Sequence, residues 1–352
     1  MTNEIYSLRN SPHVVILGAG ASIAAIPNGD KYGMKTSVMK GFIDKLGMRD
    51  ILNDLELKII SDNLEDIYSE ISSMKECKVI KEKLEESIYN YFNSFEIPDE
   101  LTVYDYLILS LTSKDLIATF NWDPLLVQAY QRMHQLTSNL PELAFLHGNV
   151  AYGYCKGNHK KYVRGFKGLS CEICSNRFFA SNLLYPINNK DYNNDRDIKF
   201  NWDLTQKYLK QAFMVTIFGY SAPKTDKEAI DLLQIAWGNK EVRKLEEISI
   251  IDITDEDTLI NTWDDFVYSH HYNITNNYFD SYLGKFPRRS TEATFDMLFG
   301  SLWQNGDIGF KDNWSFDKLY NYVKPLLDDE LGKSVNNLTN PYNDKFEGWE
   351  NK

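Results

Sequence analysis

The sequence predicts an α/β fold: a doubly wound, Rossmann-like and mainly parallel sheet, with a helical insertion, a small irregular insertion and a helical C-terminal tail. Two observations lead to this prediction. Five short apolar runs rich in β-branched residues are separated by segments with helical spacing, and such runs are typical of strands buried on both faces of a parallel sheet. Each run also ends in glycine or polar residues, at the edge where open α/β sheets bind ligands.

The predicted strands follow one another along the 352-residue chain. They are His13–Leu17, Leu116–Phe120, Leu143–Leu146, Phe213–Phe218 and Ile248–Ile253. Between the first two strands, apolar residues recur at three-to-four spacing over about residues 40–111, which predicts the helical insertion. Thr225 is expected to cap a later helix as part of a capping box, and Thr254 is expected to cap another helix that begins at Asp255.

The domain prediction follows from these segments. Residues 1–270 are expected to form the sheet domain, which contains the helical insertion. Residues of about 150–195 interrupt the alternation and are rich in Lys, Asn, Gly and Cys, so they are predicted to be an irregular insertion. Residues 271–352 are expected to be a helical C-terminal region that offers an assembly surface.

Composition narrows the functional class. The formal charge is −12, which argues against a general nucleic-acid binder, although a local basic patch remains compatible with it. The longest apolar run, Val14–Ile26, is too short to span a bilayer and has no positively charged segment before it. We therefore expect a cytoplasmic protein without a membrane segment. Four cysteines are too few for a disulfide framework and, when clustered, more often hold a metal.

The turn after the first strand has the pattern of a dinucleotide-binding loop. In the run Gly18-Ala19-Gly20-Ala21-Ser22, glycines would let the backbone approach a pyrophosphate, and a following helix N-terminus would offer its N–H groups. The third glycine of the usual pattern is replaced by Ile23, and the second strand lacks the usual acidic residue. A tight strand-to-helix turn without a ligand is therefore the alternative.

Polar residues also end the other predicted strands, and we expect them to meet at one crevice. These candidate site residues are Asn121, Asp123, His147, Gly219, Tyr220, Ser221 and Asp252. Structural alternatives stay open for several of them. Asn121 could cap a turn, His147 could be a core histidine, and Asp123 could belong to a helix N-terminus beside Pro124. Ser221 could be a plain turn residue.

The ordered set of motifs resembles the sirtuin family over about residues 11–260. The resemblance is carried by GAGAS with Ala25-Ile26-Pro27 behind it, the TxNxD element at 119–123, the HG element at 147–148 and the glycine–serine turn at 219–221. The run GYSAPKTD at 219–226 is more similar to bacterial sirtuin-like NAD hydrolases of anti-phage defence than to protein deacylases. Asn28-Gly29-Asp30 stands where deacylases have an Asp-Phe-Arg-type segment, and no acyl-peptide strand is recognisable before the glycine–serine turn.

The resemblance implies that residues 1–270 form an NAD-binding catalytic domain that hydrolyses NAD+ to nicotinamide and ADP-ribose. It further implies NAD depletion during phage infection (abortive infection), held off until a partner or assembly of copies triggers it. Related proteins work with a translocase ATPase, an Argonaute-type protein or other sensor domains. The alternatives are an NAD-dependent protein deacylase and a non-catalytic subunit that senses NAD or ADP-ribose.

The same resemblance assigns roles to the candidate residues. The loop at 18–22, the turn at 219–221 and Asp252 would bind NAD. Asn121 would orient a water molecule or the ribose hydroxyls, and His147 would accept a proton near neutral pH. Asp123 would orient either residue or stabilise the developing positive charge.

The cysteine spacing predicts a structural zinc site. Cys155 and His159 form one pair, and the CxxC of Cys171 and Cys174 forms the second, so thiolates and an imidazole could close a tetrahedron around zinc. Sirtuins carry a zinc module at this place, normally with four cysteines, so His159 would replace one. A metal-free loop is the alternative. Cys77 is expected to be a structural residue.

Overall fold

We analysed a computed structural model of the chain. It describes residues 7–36, 39–53, 55, 57–185, 192, 195–222, 226–239, 243, 245–264, 266, 272–299, 303–304, 309–332 and 349–350. The strands within these residues are β1 His13–Leu17, β2 Leu116–Thr119, β3 Glu142–Phe145, β4 Tyr152–Tyr154, β5 Arg164–Phe166, β6 Phe179–Ala180, β7 Met214–Phe218, β8 Glu247–Ile251, β9 Tyr272–Thr275, β10 Trp303–Gln304 and β11 Trp349–Glu350.

Six of these strands form one sheet in the order β3-β2-β1-β7-β8-β9. All five pairings are parallel. After β1 the chain adds β2 and β3 on one side of it, and then adds β7, β8 and β9 on the other side. Alternate residues of β1 enter two separate cores: Val15 and Leu17 lie in the first, Val14 and Ile16 in the second. Both faces are therefore covered, which confirms the doubly wound parallel sheet that the sequence predicts.

The helices fill the segments between the strands. They are α1 Ala19–Ala25, α2 Phe42–Lys45, α3 Arg49–Asn53, α4 Leu64–Ser73, α5 Lys78–Asn93, α6 Val103–Leu109, α7 Leu125–Met133, α8 Arg196–Gln211, α9 Lys227–Trp237, α10 Glu256–Thr262, α11 Tyr282–Lys285, α12 Ser290–Phe299 and α13 Phe316–Glu330. Short 3-10 turns occur at Leu8–Asn10, Lys75–Cys77 and Tyr278–Asp280. Five helices, α2 to α6, make up the predicted insertion between β1 and β2.

The predicted strands agree with the observed ones to within two residues, and the sixth strand is a new finding. β9, with the sequence YNIT, pairs with β8 at the edge of the sheet and is only half-buried. β9 lies beyond residue 270, the predicted end of the first domain, so the sheet extends past the predicted boundary. The separation into two domains stays a prediction.

Two helix-cap predictions have different outcomes. Thr225 lies outside the described residues. The prediction for Thr254 is wrong: Asp255 caps α10 by accepting a hydrogen bond from the Thr258 N–H. The Thr254 hydroxyl instead donates to Asp252 Oδ1 at 2.8 Å, and this short-range bond holds Thr254 on the loop before the helix.

The helical tail is confirmed, and polar contacts tie it to the base of the sheet. His13, fully buried on β1, bonds through Nδ1 to Ser290 Oγ and through Nε2 to Thr216 Oγ1, both at 2.7 Å. Burial lowers the pKa of His13 to about 3, so the ring is neutral near pH 7. On the same helix, α12, Asp296 accepts a bidentate pair from Arg9.

The insertion at 150–195 is less irregular than its composition suggests. Strands β4, β5 and β6 form a small antiparallel sheet in the order β5-β4-β6. Gly153 of β4 packs closely against β6: an added Cβ at this position would stand 1.8 Å from the Phe179 carbonyl oxygen. Among the described residues no helix is both long and apolar enough to cross a membrane.

Candidate active site and metal centre

The carboxyl ends of β1, β2, β3, β7 and β8 meet around a cleft of about 430 Å³. This volume lies within the range of small-molecule sites, roughly 300–1,000 Å³. Nearly all predicted site residues line it: Gly18, Ala19, Gly20, Ser22, Asn121, Asp123, His147, Gly219, Tyr220, Ser221 and Asp252. Ala21 is the exception, because it is fully buried in the first core.

A hydrogen-bond network fixes the amide of Asn121 at the floor of the cleft. Asn121 Nδ2 donates to the Gly18 carbonyl oxygen at 2.8 Å and to Ser22 Oγ at 2.9 Å. Because a carbonyl can only accept, these contacts assign which end of the amide is nitrogen. No described residue donates a hydrogen bond to Asn121 Oδ1, so this oxygen can accept one from a bound molecule.

Ser22 and Tyr104 complete this network. Ser22 has a single hydroxyl proton, and it donates to Asp123 Oδ2 at 2.6 Å. The Tyr104 hydroxyl, 2.8 Å from Ser22 Oγ, must therefore be the donor in that pair. Burial, together with the nearby Asp123 carboxylate, raises the pKa of Tyr104, which keeps its proton in place. Tyr104 belongs to α6 of the helical insertion, and no sequence pattern indicated its contact with Ser22.

The carboxylate of Asp123 forms hydrogen bonds with other residues of the chain. Its side chain is buried and accepts hydrogen bonds from Ser22 Oγ and from the Leu125 N–H at 3.1 Å, at the start of α7. Burial raises the pKa of Asp123, and these two donors oppose the shift. Asp123 is thus linked to Asn121 through the Ser22 hydroxyl.

His147 lines the same cleft as Asn121 and is buried among aromatic rings. The Phe120 ring meets the imidazole edge-on at 4.8 Å, and the Tyr192 ring lies nearly parallel to it at 6.2 Å. Its backbone carbonyl accepts from Trp122 Nε1 at 3.1 Å and from the Leu184 N–H at 2.9 Å. The imidazole is thus held at the edge of the cleft by packing and by its own main chain.

The glycines of the predicted dinucleotide loop pack against the turn that follows β7. An added Cβ at Gly18 would stand 2.5 Å from the Gly219 carbonyl oxygen, and one at Gly20 would stand 2.7 Å from Gly219 Cα. The Gly20 N–H donates to the Gly219 carbonyl oxygen at 2.9 Å. Close packing of the two turns therefore explains why these positions are glycine. Because the Gly20 N–H already donates to the Gly219 carbonyl oxygen, phosphate binding at this turn stays a prediction.

The turn after β7 adds aromatic and acidic groups. Tyr220 stacks on Phe120 with the ring centroids 4.3 Å apart, and its hydroxyl donates to Asp226 Oδ2 at 3.1 Å. Ser221 is exposed at the mouth of the cleft. Asp252, after β8, accepts from the Thr254 N–H at 2.9 Å and lines the cleft as well.

The cleft carries negative charge and opens towards a second cavity. Among the described lining residues the acidic ones are Glu65, Asp123, Asp226 and Asp252, and none is lysine or arginine. A neighbouring cavity of about 1100 Å³ shares Gly20, Ile23, Gly219 and Asp252 with the cleft. Its other walls come from residues 24–31, 98–103, 276–279 and 312–313.

The four predicted metal ligands lie together in the small antiparallel sheet. The ligand atoms of Cys155, His159, Cys171 and Cys174 all lie within 4.8 Å of one another. His159 Nε2 is 3.3 Å from Cys155 Sγ and 3.4 Å from Cys171 Sγ, and Cys155 and Cys174 Sγ are 3.4 Å apart. Zinc bonds of ~2.0–2.3 Å give tetrahedral ligand separations of roughly 3.5–3.8 Å, so this set fits a closed zinc site.

The backbone of Gly157 lies close to the ligand atoms of the cluster. The Gly157 N–H points at Cys155 Sγ at 3.3 Å. A Cβ at Gly157 would stand 2.8 Å from Cys174 Sγ and 2.9 Å from His159 Nε2, so a larger residue would crowd the ligands. Cys77 is a separate, buried thiol within the helical insertion, in the 3-10 turn between α4 and α5.

No protein-family model matches the sequence, and no curated protein sequence matches it significantly. Solved structures of Sir2 enzymes are similar to the chain. One, on the mechanism and regulation of Sir2 enzymes, has a TM-score of 0.38 and 14% identity over 85% of this chain and 97% of that chain. A Sir2 homologue in complex with NAD has a TM-score of 0.34 and 12% identity over 85% and 92%. Sir2 bound to acetylated peptide has a TM-score of 0.34 and 15% identity over 86% of this chain and 99% of that chain. At TM-scores this low, the alignments assign no chemistry to this chain.

Proposed function

We propose that this chain is an NAD+ hydrolase. Water adds to C1 of the nicotinamide ribose, the C1–nitrogen bond breaks, and its electron pair leaves with neutral nicotinamide. The products are nicotinamide, ADP-ribose and a proton. The observation that carries this proposal is the pairing of Asn121 and His147 in one cleft at the carboxyl ends of adjacent parallel strands, with the amide of Asn121 anchored from below.

Asn121 would orient the attacking water or the ribose hydroxyls. Its Nδ2 is committed to Gly18 and Ser22, so the Oδ1 is held as a fixed acceptor that stays uncharged over the working pH range. A fixed acceptor lowers the entropic cost of bringing water to C1. Asp123, Ser22 and Tyr104 hold this amide and do not need to touch NAD.

His147 would accept the proton that the reaction releases. A neutral imidazole is the side chain best suited to proton transfer near neutral pH. The aromatic rings around it, Phe120 and Tyr192, limit the motion of the imidazole. They would also shield the oxocarbenium-like centre from bulk water.

The charge of the cleft suits the cationic end of NAD+. The nicotinamide ring carries a positive charge before cleavage, and the ribose gains one during it. Glu65, Asp226 and Asp252 line the cleft and would stabilise positive charge there. The adenosine half would extend past Gly20 and Gly219 into the larger cavity, since the two spaces share those residues.

Zinc would support the fold and stay outside the NAD chemistry. Cys155, His159, Cys171 and Cys174 supply four protein ligands, which is the number in a closed structural site. When bound, the metal would cross-link loops that carry little apolar material, because metal binding and folding are coupled in such modules.

The biological role that we propose is NAD depletion in anti-phage defence, triggered by a partner or by assembly of copies through the C-terminal region. It is supported by the similarity of the GYSAPKTD run to bacterial NAD hydrolases of that type. The test is the NAD content of phage-infected cells that express wild-type protein or the His147→Ala variant. The proposal predicts a fall in NAD only with the wild type, and unchanged NAD in both strains contradicts it.

The catalytic assignment is tested with Asn121→Ala and His147→Ala, using nicotinamide release as the readout. Each variant should lose roughly 10²- to 10⁴-fold in turnover while remaining folded. His134→Ala is the matched control, because His134 is exposed at the end of α7 and should keep wild-type turnover. Near-wild-type turnover of both cleft variants would show that the assignment is wrong.

A further inference from the structure

The small antiparallel sheet and its loops, residues 152–180, form what we call the cysteine module. It carries six cationic side chains and one acidic one, a net charge of +5, in a chain whose total is −12. The module therefore has a net positive charge within a chain that is acidic as a whole. A local field of this sign attracts polyanions even when the whole molecule repels them.

Most of these cations are exposed and uncompensated. Lys156, Lys160, Lys161 and Arg177 are exposed, and no described residue forms an ion pair with any of them. Arg164 differs, because it packs beside Asp197 and is only 9% exposed. The four exposed charges are not neutralised by a neighbouring carboxylate among the described residues, so they remain available to an anionic ligand.

Aromatic rings alternate with the cations on the same module. Phe179 is 47% exposed, and the Lys156 Nζ lies 4.2 Å from its ring centroid. Tyr162 lies 5.9 Å from Tyr154 in a stacked pair, and the guanidinium of Arg196 lies 4.9 Å from the Tyr162 ring. Phe179 is the exposed ring of this set, and an exposed ring beside a cation can bind a base and its phosphate together.

The metal-ligand cluster holds part of this surface in shape. Lys156 follows Cys155, and Lys160 follows His159, and both of these neighbours belong to the four-residue cluster. A metal bound by the cluster would fix the backbone next to each of these lysines. Fixing a loop in its binding conformation before the ligand arrives reduces the entropic cost of association.

We propose that the cysteine module binds single-stranded nucleic acid, with phosphates on Lys156, Lys160 and Lys161 and a base stacked on Phe179. A duplex hides the faces of its bases, so it could not use the exposed ring. An acidic peptide would use the lysines and leave the ring without a stacking partner. This inference is independent of the proposed NAD chemistry, because the module binds through its own residues.

The test is fluorescence anisotropy of a short labelled oligothymidylate titrated with the full-length protein at about 50 mM salt. Three or four neutralised phosphates predict a log affinity that falls with log salt at a slope of roughly −2 to −3. Phe179→Ala should weaken binding by roughly 5- to 150-fold, the range for loss of one stacked base. A duplex of the same sequence should bind more weakly than the single strand.

The charge requirement is tested with the double variant Lys160→Glu and Lys161→Glu. Its matched control is Lys207→Glu with Lys210→Glu, an equal charge change at two exposed lysines of α8. The proposal predicts at least a tenfold loss with the module variant and a smaller loss with the control. Equal losses in the two variants, no binding by wild type, or equal competition by polyglutamate would each overturn it. NAD hydrolysis need not be measured, so this result stands apart from the catalytic test.

Discussion

The hydroxyl of Tyr104 provides a sharp test of how Asn121 is held. Tyr104→Phe removes only this oxygen, which donates to Ser22 Oγ at 2.8 Å and lies 3.3 Å from Asn121 Nδ2. Ser22 keeps its bonds to Asp123 and to Asn121, so the variant loses the short bond to Ser22 and the longer one that Asn121 Nδ2 donates. The expected cost in folding free energy is about 0.5–1.5 kcal/mol.

The same loss should appear in catalysis, because the network positions the amide that would orient water. If the hydrogen-bond energy serves to position Asn121, kcat should fall by roughly 2- to 12-fold, the ratio that corresponds to about 0.5–1.5 kcal/mol. KM should change little, since Tyr104 does not line the cleft. Ser22→Ala breaks all three bonds of that hydroxyl and should lower kcat further than Tyr104→Phe does.

The assay is steady-state nicotinamide release, combined with urea unfolding of each variant. Tyr68→Phe is the matched control: Tyr68 is also a buried tyrosine of the helical insertion, and its hydroxyl donates to Glu85. It should lose comparable stability and keep wild-type kcat. If Tyr104→Phe and Tyr68→Phe show the same kcat, or if Ser22→Ala is fully active, the network has no role in catalysis.

Three further predictions follow from other parts of the structure. Elemental analysis should find about one zinc per chain, and His159→Ala should lower the zinc affinity; metal-free wild-type protein that is fully folded would contradict this. Burial raises the pKa of Glu247 from 4.5 to about 7. Between these two pH values the folded state holds a proton that the unfolded state releases. The free energy of unfolding should therefore fall by about 3 kcal/mol as the pH rises from 4.5 to 7. Glu247→Gln should remove this pH dependence in unfolding titrations. Gly20→Ala should cost about 1–3 kcal/mol without any ligand, because its Cβ would lie 2.7 Å from Gly219 Cα; unchanged urea unfolding would refute that contact.

The sequence predicted the sheet because its strands are buried on both faces. The run Val14–Leu17 consists of apolar residues with no polar alternation, and this pattern is typical of central parallel strands. β9 escaped prediction because an edge strand is only half-buried and its sequence, YNIT, contains two polar residues in four. Edge strands lack the continuous apolar signal on which the prediction depends.

The site was predicted only where it lies at strand ends. Asn121 and His147 follow predicted strands, so the topology brings them together. Tyr104 lies in a helix of the insertion, and only tertiary packing of that helix brings its hydroxyl to Ser22. The reason for Gly20 was also not visible, because its neighbour Gly219 is distant along the chain.

The cysteine cluster was predictable because spacing alone limits its geometry. The CxxC pair and the Cys155–His159 pair each lie on a short loop, and the spacing of the two pairs is typical of zinc ligands. The antiparallel strands that bring them together were not predicted, because β6 has two residues, and so short a strand has no readable periodicity. The charge of the same segment is visible in sequence, but its pairing with exposed rings required the structure.

The most direct test of the proposed activity is the product balance with purified protein, NAD+ and no acylated peptide, at protein concentrations that favour assembly. The proposed hydrolysis predicts nicotinamide and ADP-ribose in equal amounts with wild-type protein, and no product with His147→Ala. Nicotinamide release that requires an acyl-lysine peptide would identify a deacylase instead. NAD+ that binds the cleft but stays intact would contradict the account, because the Asn121–His147 pair would then hold a ligand without cleaving it.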